Sequence, residues 1–168
     1  MPYVGSYIWR VRQKVGHDLL VMPGVEVVAV RDGKLLMVYN KDFQEWCFPG
    51  GAVENNLTWT ECAARELEEE GGLIVDPKDL KPFAIGSGKD FSLIYPNGDK
   101  VEMFVNYFVV DKFKSETDIL DTAEVSKTKW FSLDEIEKLQ QAPQSRVGFL
   151  VYKEYLKSGQ FQVIEAAT

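Results

Sequence analysis

Cysteine and histidine are scarce in this chain, which has two cysteines, Cys47 and Cys62, and one histidine, His17, among 168 residues. Two thiols without a C-x-x-C pair make neither a disulfide framework nor a thiolate zinc site. A lone imidazole with no partner at ligand spacing reads as a structural or surface group rather than a catalytic base. No apolar run approaches the roughly 18 residues of a membrane-spanning helix. Arg10, Arg12, Lys14 and Asp18 interrupt the N-terminal apolar positions, unlike a secretory signal, so a cytoplasmic protein without a membrane partner is expected. Basic residues are outnumbered, 19 Lys and Arg against 26 Asp and Glu, for a net charge of -7. That balance excludes the phosphate-tracking surface that long nucleic acid requires. Small nucleotides stay open, because a metal ion bridges an acidic site to an anionic phosphate.

A composition 45% hydrophobic and 12% aromatic supports one well-buried core, hence a single domain over residues 1–168. The spacing of Ile8, Val11 and Val15 predicts an N-terminal helix at about 7–16, closed by Gly16. Its aromatics Tyr3, Tyr7 and Trp9 cover either the core or a partner subunit, which leaves a homodimer open. Val25 to Val30 and Leu35 to Tyr39 read as strands of a hairpin turning at Asp32-Gly33. Phe83 to Ile85, Phe91 to Tyr95 and Val101 to Val110 read as further strands, and Lys112 to Ala123 as an irregular loop. A strand from Glu124 to Phe131 precedes a helix, Leu133 to Gln140, capped by Ser132 and Glu135. A C-terminal helix is expected at about 144–157.

The densest signal is Arg65-Glu66-Leu67-Glu68-Glu69-Glu70-Gly71-Gly72-Leu73. On a helix begun at the Thr58/Glu61 capping pair and ended at Gly71-Gly72, Glu66, Glu69 and Glu70 share one side, related by i, i+3 and i+4, while Glu68 points away. Clustered like charges cost a few tenths of a kcal/mol per pair in a bare helix and invite a compensating cation. Carboxylate oxygens suit magnesium or manganese. The stripe Thr60, Ala63, Ala64 and Leu67 is expected to lie on a sheet, which turns the carboxylate face into a cleft reached through Pro49-Gly50-Gly51.

These residues resemble the box of the Nudix hydrolases, G-x5-E-x7-R-E-U-x-E-E-x-G-U with U aliphatic. Gly51, Arg65, Glu66, Leu67, Glu69, Glu70, Gly72 and Leu73 fall in register, behind a family-like lead-in at Trp46-Cys47-Phe48-Pro49-Gly50. Leu57 stands where the first glutamate of the box belongs, and Asn56 where a glycine is common. The resemblance implies an α/β fold, a Nudix-type α/β/α sandwich with a mixed β-sheet. It also implies metal-dependent cleavage of the pyrophosphate bond in a nucleoside di- or triphosphate derivative. Carried over by position, Glu66 and Glu70 are metal ligands, with Glu69 next and the Gly50 carbonyl completing the shell around Mg2+ or Mn2+. Glu69, Glu124 and Arg65 are the catalytic candidates, Glu124 because family members often take a base or further ligand from a loop before the Trp-Phe strand. Lys41, Tyr39 and Trp46 are the substrate-binding candidates, with Phe48 close by; Arg65 is expected to pair with Glu69 or Glu61. The stretch Gly86-Ser87-Gly88-Lys89 lacks the proline common in ADP-ribose specialists, and Tyr39-Asn40-Lys41 lacks the arginine pair of many triphosphate hydrolases. A second reading, a nucleotide-binding sensor of the same fold without turnover, is kept open by Leu57.

Overall fold

The computed structural model describes residues 4–118 and 121–165, so Tyr3 and two residues of the 112–123 loop lie outside the described chain. The chain opens with helix α1 (Tyr7–Val15), whose N-cap Ser6 accepts from the Trp9 N–H and whose C-cap is Gly16. Strands β1 (Leu20–Arg31) and β2 (Lys34–Asn40) form the expected hairpin. Asp32 and Gly33 both hold positive φ at its tip, 50° and 73°, the twist-matched turn that favours Asp-Gly. Short strands β3 (Glu45–Cys47) and β4 (Gly50–Ala52) lead to helix α2 (Trp59–Gly71). Both ends of α2 are specified locally. Thr58 and Glu61 form a complete capping box, and Gly72 ends the helix in the left-handed region.

After α2 come β5 (Leu73–Ile74), β6 (Lys81–Ser87), β7 (Ser92–Ile94), β8 (Lys100–Val110), β9 (Ser115–Glu116) and β10 (Val125–Phe131). Helices α3 (Leu133–Ile136) and α4 (Pro143–Ser158) and strand β11 (Gln162–Glu165) close the described chain. The main sheet runs β10-β2-β1-β8-β6-β11, with β3 on β2, β4 on β1 and β7 on β8. It is mixed: β1 with β8 and β6 with β11 are parallel, and the other pairs are antiparallel.

Alternation along β1 divides the interior. Val25, Val27 and Ala29 pack with Cys62, Ala63 and Leu67 of α2, and Phe108 and Val110 join them from β8. Met22 and Val28 face the other way, in a core shared with Ile8 of α1 and Phe149 and Tyr152 of α4. Helices therefore cover both faces of a mixed sheet, the α/β/α sandwich expected.

Several elements differ from the sequence reading: the short strands β3, β4, β5 and β9 were not expected, and β9 pairs with β5 inside the stretch read as an irregular loop. β1 begins at Leu20 rather than Val25, because β8 pairs with it in unbroken parallel register from Leu20↔Val101 to Ala29↔Val110. β11 was not expected at all; it exists because it adds to β6 in parallel. The stretch expected as a strand at 91–95 starts as a 3-10 turn, Lys89–Phe91, before β7. α3 stops at Ile136 instead of Gln140, since the amides of Lys138 and Leu139 bond to carbonyls three residues back, Glu135 and Ile136, and Gln141 Nε2 also donates to the Ile136 carbonyl at 2.8 Å. On α2 the buried face is Cys62, Ala63, Glu66, Leu67 and Glu70, while Thr60 and Ala64 are only half-buried, so the helix sits rotated from the expected stripe.

Candidate active site

The Pro49-Gly50-Gly51 turn and α2 meet without room for another atom. A Cβ on Gly51 would stand 2.9 Å from the Glu66 carboxyl, and one on Gly50 would strike the Val25 carbonyl oxygen at 2.2 Å. The bare Gly51 lets the Glu66 carboxyl of α2 lie against the backbone of β4, and the bare Gly50 lets β4 lie against β1. The Gly50 N–H donates to Glu70 Oε2 at 2.9 Å. Arg65 Nη2 donates to Glu66 Oε1 at 2.7 Å, and its Nη1 lies 3.5 Å from Glu69 Oε2. The arginine expected to pair with Glu69 or Glu61 thus bridges Glu66 and Glu69, while Glu61 is taken by the Thr58 cap. Asn56 holds φ 67°, so asparagine does adopt the left-handed turn in the place where glycine is common.

These carboxyls line a cleft of about 1340 Å3, its open mouth included. Glu66 is 8% exposed and Glu70 5%. Burial raises the Glu66 carboxyl to about 7, against the pull of Arg65 and with help from Glu69. Burial and then the Glu66 charge push Glu70 well above the ordinary carboxylate range, opposed by the Gly50 N–H. Glu69 is raised by burial, with Arg65 opposing, and burial likewise raises Glu124. Ionised, Glu66 and Glu69 share the one Arg65 guanidinium, while Glu70 accepts only the neutral Gly50 N–H among the described residues.

Among the described residues, no three carboxylate, thiol or imidazole side chains converge into a ready-made metal cage. The donors present nonetheless fit a hard cation that retains its own water. Two adjacent buried carboxylates, each receiving a single hydrogen bond among the described residues, match a magnesium-type ion held by one or two carboxylates.

Glu124 lines the same cleft beside Asp121, whose Oδ1 accepts from the Glu124 N–H at 3.0 Å, while the Asp121 N–H donates to the Glu69 carbonyl. The loop before β10 is thereby tied to α2. Lys41 lies outside the cleft lining; its ammonium donates to the Thr122 carbonyl and its N–H to the Glu124 carbonyl at 2.8 Å, so it braces that loop. Tyr39 and Trp46 are also absent from the lining. They pack edge to face at 5.3 Å, with Trp46 against Phe131 and the Lys127 ammonium over both rings. Alternation along β2 and β3 turns these two rings away from the cleft. The aromatic residues that do line it are Phe43, Phe48 and Tyr95, with Phe43 and Tyr95 5.0 Å apart.

Sequence reasoning missed Phe43, Tyr95, Glu26 and the first turn of α4. Glu26 carried a visible signal, an acid inside an otherwise apolar strand. It is 5% exposed, and burial raises its carboxyl to about 8 although Ser145 donates a hydrogen bond to it. The mouth is bordered by α1, whose Ser6, Ile8 and Arg12 line the cleft and whose Tyr7 N–H donates to Glu54.

A sandwich of this order, with a glycine turn delivering a carboxylate helix to a cleft, is the arrangement of one known family. The chain belongs to the Nudix family, its sequence matching the NUDIX domain over residues 21–150. A Bacillus subtilis (strain 168) relative, the uncharacterized Nudix hydrolase YvcI, is 26% identical over 114 residues, which cover 67% of this chain and 66% of that protein. The chain thus matches just under two thirds of that relative's length. The crystal structure of a MutT NUDIX hydrolase from Burkholderia pseudomallei shares the fold at TM-score 0.64 and 21% identity, over 78% of this chain and 97% of that one. A bifunctional NMN adenylyltransferase/ADP ribose pyrophosphatase from Francisella tularensis, complexed with AMP and a Mn ion, shares it at TM-score 0.62 and 20% identity, over 86% of this chain and 44% of that one.

Proposed function

We propose that the protein is a magnesium- or manganese-dependent hydrolase that cleaves the pyrophosphate bond of a nucleoside di- or triphosphate derivative in the cytoplasm. The observation that carries this reading is the pair Glu66 and Glu70, buried one helical turn apart at the cleft with one hydrogen bond each among the described residues. Such a pair is costly to a protein that never binds a cation there. Membership of the Nudix family supports the reading, and the Mn ion in the Francisella structure is consistent with it.

A divalent ion, when bound, neutralises phosphoryl charge and makes water a nucleophile near neutral pH. Glu66 and Glu70 would hold it, with the Gly50 carbonyl. Arg65 positions the Glu66 and Glu69 carboxyls through its two Nη atoms. Glu69 and Glu124, both raised above the usual carboxylate range, suit proton acceptance at a carboxyl oxygen facing the cleft. Leu57 weighs little against turnover, because the arginine that the absent glutamate would steady already has Glu66 and Glu69.

The test is a screen of purified protein with magnesium against nucleotides, oxidised nucleotides, nucleotide sugars, dinucleoside polyphosphates and ADP-ribose, reading phosphate after phosphatase coupling. Magnesium-dependent release from one class is expected. No release from any class, with a metal-induced rise in melting midpoint, would instead favour a binding protein without turnover.

A further inference from the structure

Glu26 stands apart from the carboxylates of α2 and takes no part in the reaction above. Its side chain forms part of the cleft wall with Phe48, Ala142 and Gln144. Ser145 Oγ donates to Glu26 Oε1 at 2.8 Å, and accepts from the Phe48 N–H at 3.1 Å. The other oxygen, Oε2, is buried with no hydrogen-bond partner among the described residues, and so is Gln144 Oε1 on the same wall. A bare buried acceptor costs on the order of 1–3 kcal/mol, so two of them on residues that line one cleft ask for a donor from outside the chain. The wall itself is fixed. The Tyr107 hydroxyl donates to the Gln144 carbonyl at 2.7 Å, and the Tyr107 ring fills the space a Cβ on Gly148 would enter, 2.5 Å away, which pins the first turn of α4.

We propose that Glu26 and Gln144 form the specificity end of the cleft, accepting hydrogen bonds from an amino-bearing nucleobase edge, with a guanine-type base the fullest match. The proposal rests on the nucleotide reading above. A carboxylate oxygen and an amide oxygen are acceptors, and a donor brought to Oε2 by the ligand favours the ionised form of Glu26. Guanine offers a ring N–H beside an amino group, whereas adenine and cytosine offer the amino group alone and uracil the ring N–H alone. Phe43 and Tyr95 supply an aromatic wall in the same cleft. Glu26 is the register partner of Gly50 in the β1–β4 pair, so base recognition and the carboxylate helix meet on one backbone.

Binding to metal-free protein tests this independently of turnover. Calorimetry with GMP, IMP and AMP in the presence of chelator compares ligands of which the first two differ only in the amino group. GMP is expected to bind about tenfold tighter than IMP, one good hydrogen bond's worth. In Glu26→Gln, the amide oxygen keeps the Ser145 hydroxyl and the NH2 faces the ligand, donor against donor, so the preference should fall to about twofold or less while the fold is retained. Equal binding of GMP and IMP by the native chain, no binding of either, or a preference that survives Glu26→Gln would overturn the proposal. Should Glu26→Gln not fold, Gln144→Leu decides, its expected result being a preference reduced at least about threefold and the contrary result an unchanged one. Hydrolysis without selectivity would remove this inference and leave the hydrolase; selective GMP binding with no nucleotide hydrolysed would do the reverse.

Discussion

Asp99 and the pair Glu66–Glu70 line the same cleft, and all three are buried, yet the chain treats them in opposite ways. Asp99 accepts from His17 Nδ1 at 2.7 Å and from Asn97 Nδ2 at 3.0 Å, with Arg12 Nε at 3.6 Å. Burial works against its charge, but the His17 and Asn97 hydrogen bonds and the Arg12 guanidinium hold its carboxyl below the usual range. Arg12 also donates to the Gly16, Asp18 and Lys100 carbonyls, so this centre fastens α1 to the turn before β8. Among the described residues Glu66 and Glu70 receive one hydrogen bond each, and both are raised instead. An acid whose donors are all supplied by the chain is a fastener; acids left short of donors at a cleft are a place for a ligand.

The largest expected effect falls on the undersupplied side. Glu70→Gln and Glu66→Gln should each lower kcat/KM by about a hundredfold or more, since charge stabilisation by a held metal is worth several kcal/mol. Glu68→Gln, on the opposite side of the same helix and outside the cleft lining, should stay within about twofold of the parent, an estimate from the usual smallness of surface substitutions. Steady-state assays at saturating magnesium check this, and parent-like activity in Glu70→Gln would remove the distinction between the two centres.

Metal and pH give the next effect. Carboxyls raised in the folded state contribute stability that is full below their unfolded value of about 4.3 and is lost as pH rises through the folded one. For Glu66 that folded value is about 7, and for Glu26 about 8. Metal-free protein should therefore lose melting midpoint between about pH 5 and 8. Magnesium in hundredfold excess over its Kd should restore about 2.7 kcal/mol, or roughly 5–10 °C, at the alkaline end. A midpoint indifferent to magnesium at pH 8 would contradict the assignment of the pair.

Asp99→Asn probes the satisfied side. Loss of charge-assisted bonds should cost about 2 kcal/mol in urea unfolding at pH 7. The sign is opposite to that of the glutamates: a depressed carboxyl contributes stability above its unfolded value of about 3.9 and loses it as pH falls further, so parent and variant should converge below about pH 4. A constant gap down to pH 3 would mean that packing, not charge, is what Asp99 supplies.

The smallest effect is expected at Leu57→Glu. Leu57 is 39% exposed, and Arg65 already has two carboxylate partners, so stability should move by no more than about 0.5 kcal/mol. Turnover near the parent value would show that the cluster works without the carboxylate of the wider family; a large gain would show that Arg65 is poorly held.

Features written in short stretches of sequence were legible in advance. The caps at Thr58 and Gly72, the Asp-Gly turn and the side shared by Glu66, Glu69 and Glu70 each depend on neighbours within four residues. What escaped depends on pairing across long separations. β1 reaches back to Leu20 because of β8, and β11 forms because of β6. Tyr39 and Trp46 were placed near the cleft by their distance along the chain, but a strand presents alternate residues to opposite sides, and these two belong to the side of Phe131. Glu26 needed Ser145, 119 residues away, to give it meaning.

The missing side chains at Gly50 and Gly51 also set a tolerance. A Cβ on Gly50 would meet the backbone of β1 at Val25 and Glu26, and one on Gly51 would meet the carboxyl at the end of the Glu66 side chain. An added carbon at Gly50 therefore parts β4 from β1, and one at Gly51 pushes the Glu66 carboxyl out of its place. Altering this protein's chemistry by small steps is therefore closed at the turn and open at the opposite wall, where Phe43, Tyr95 and Gln144 can be exchanged without moving the helix.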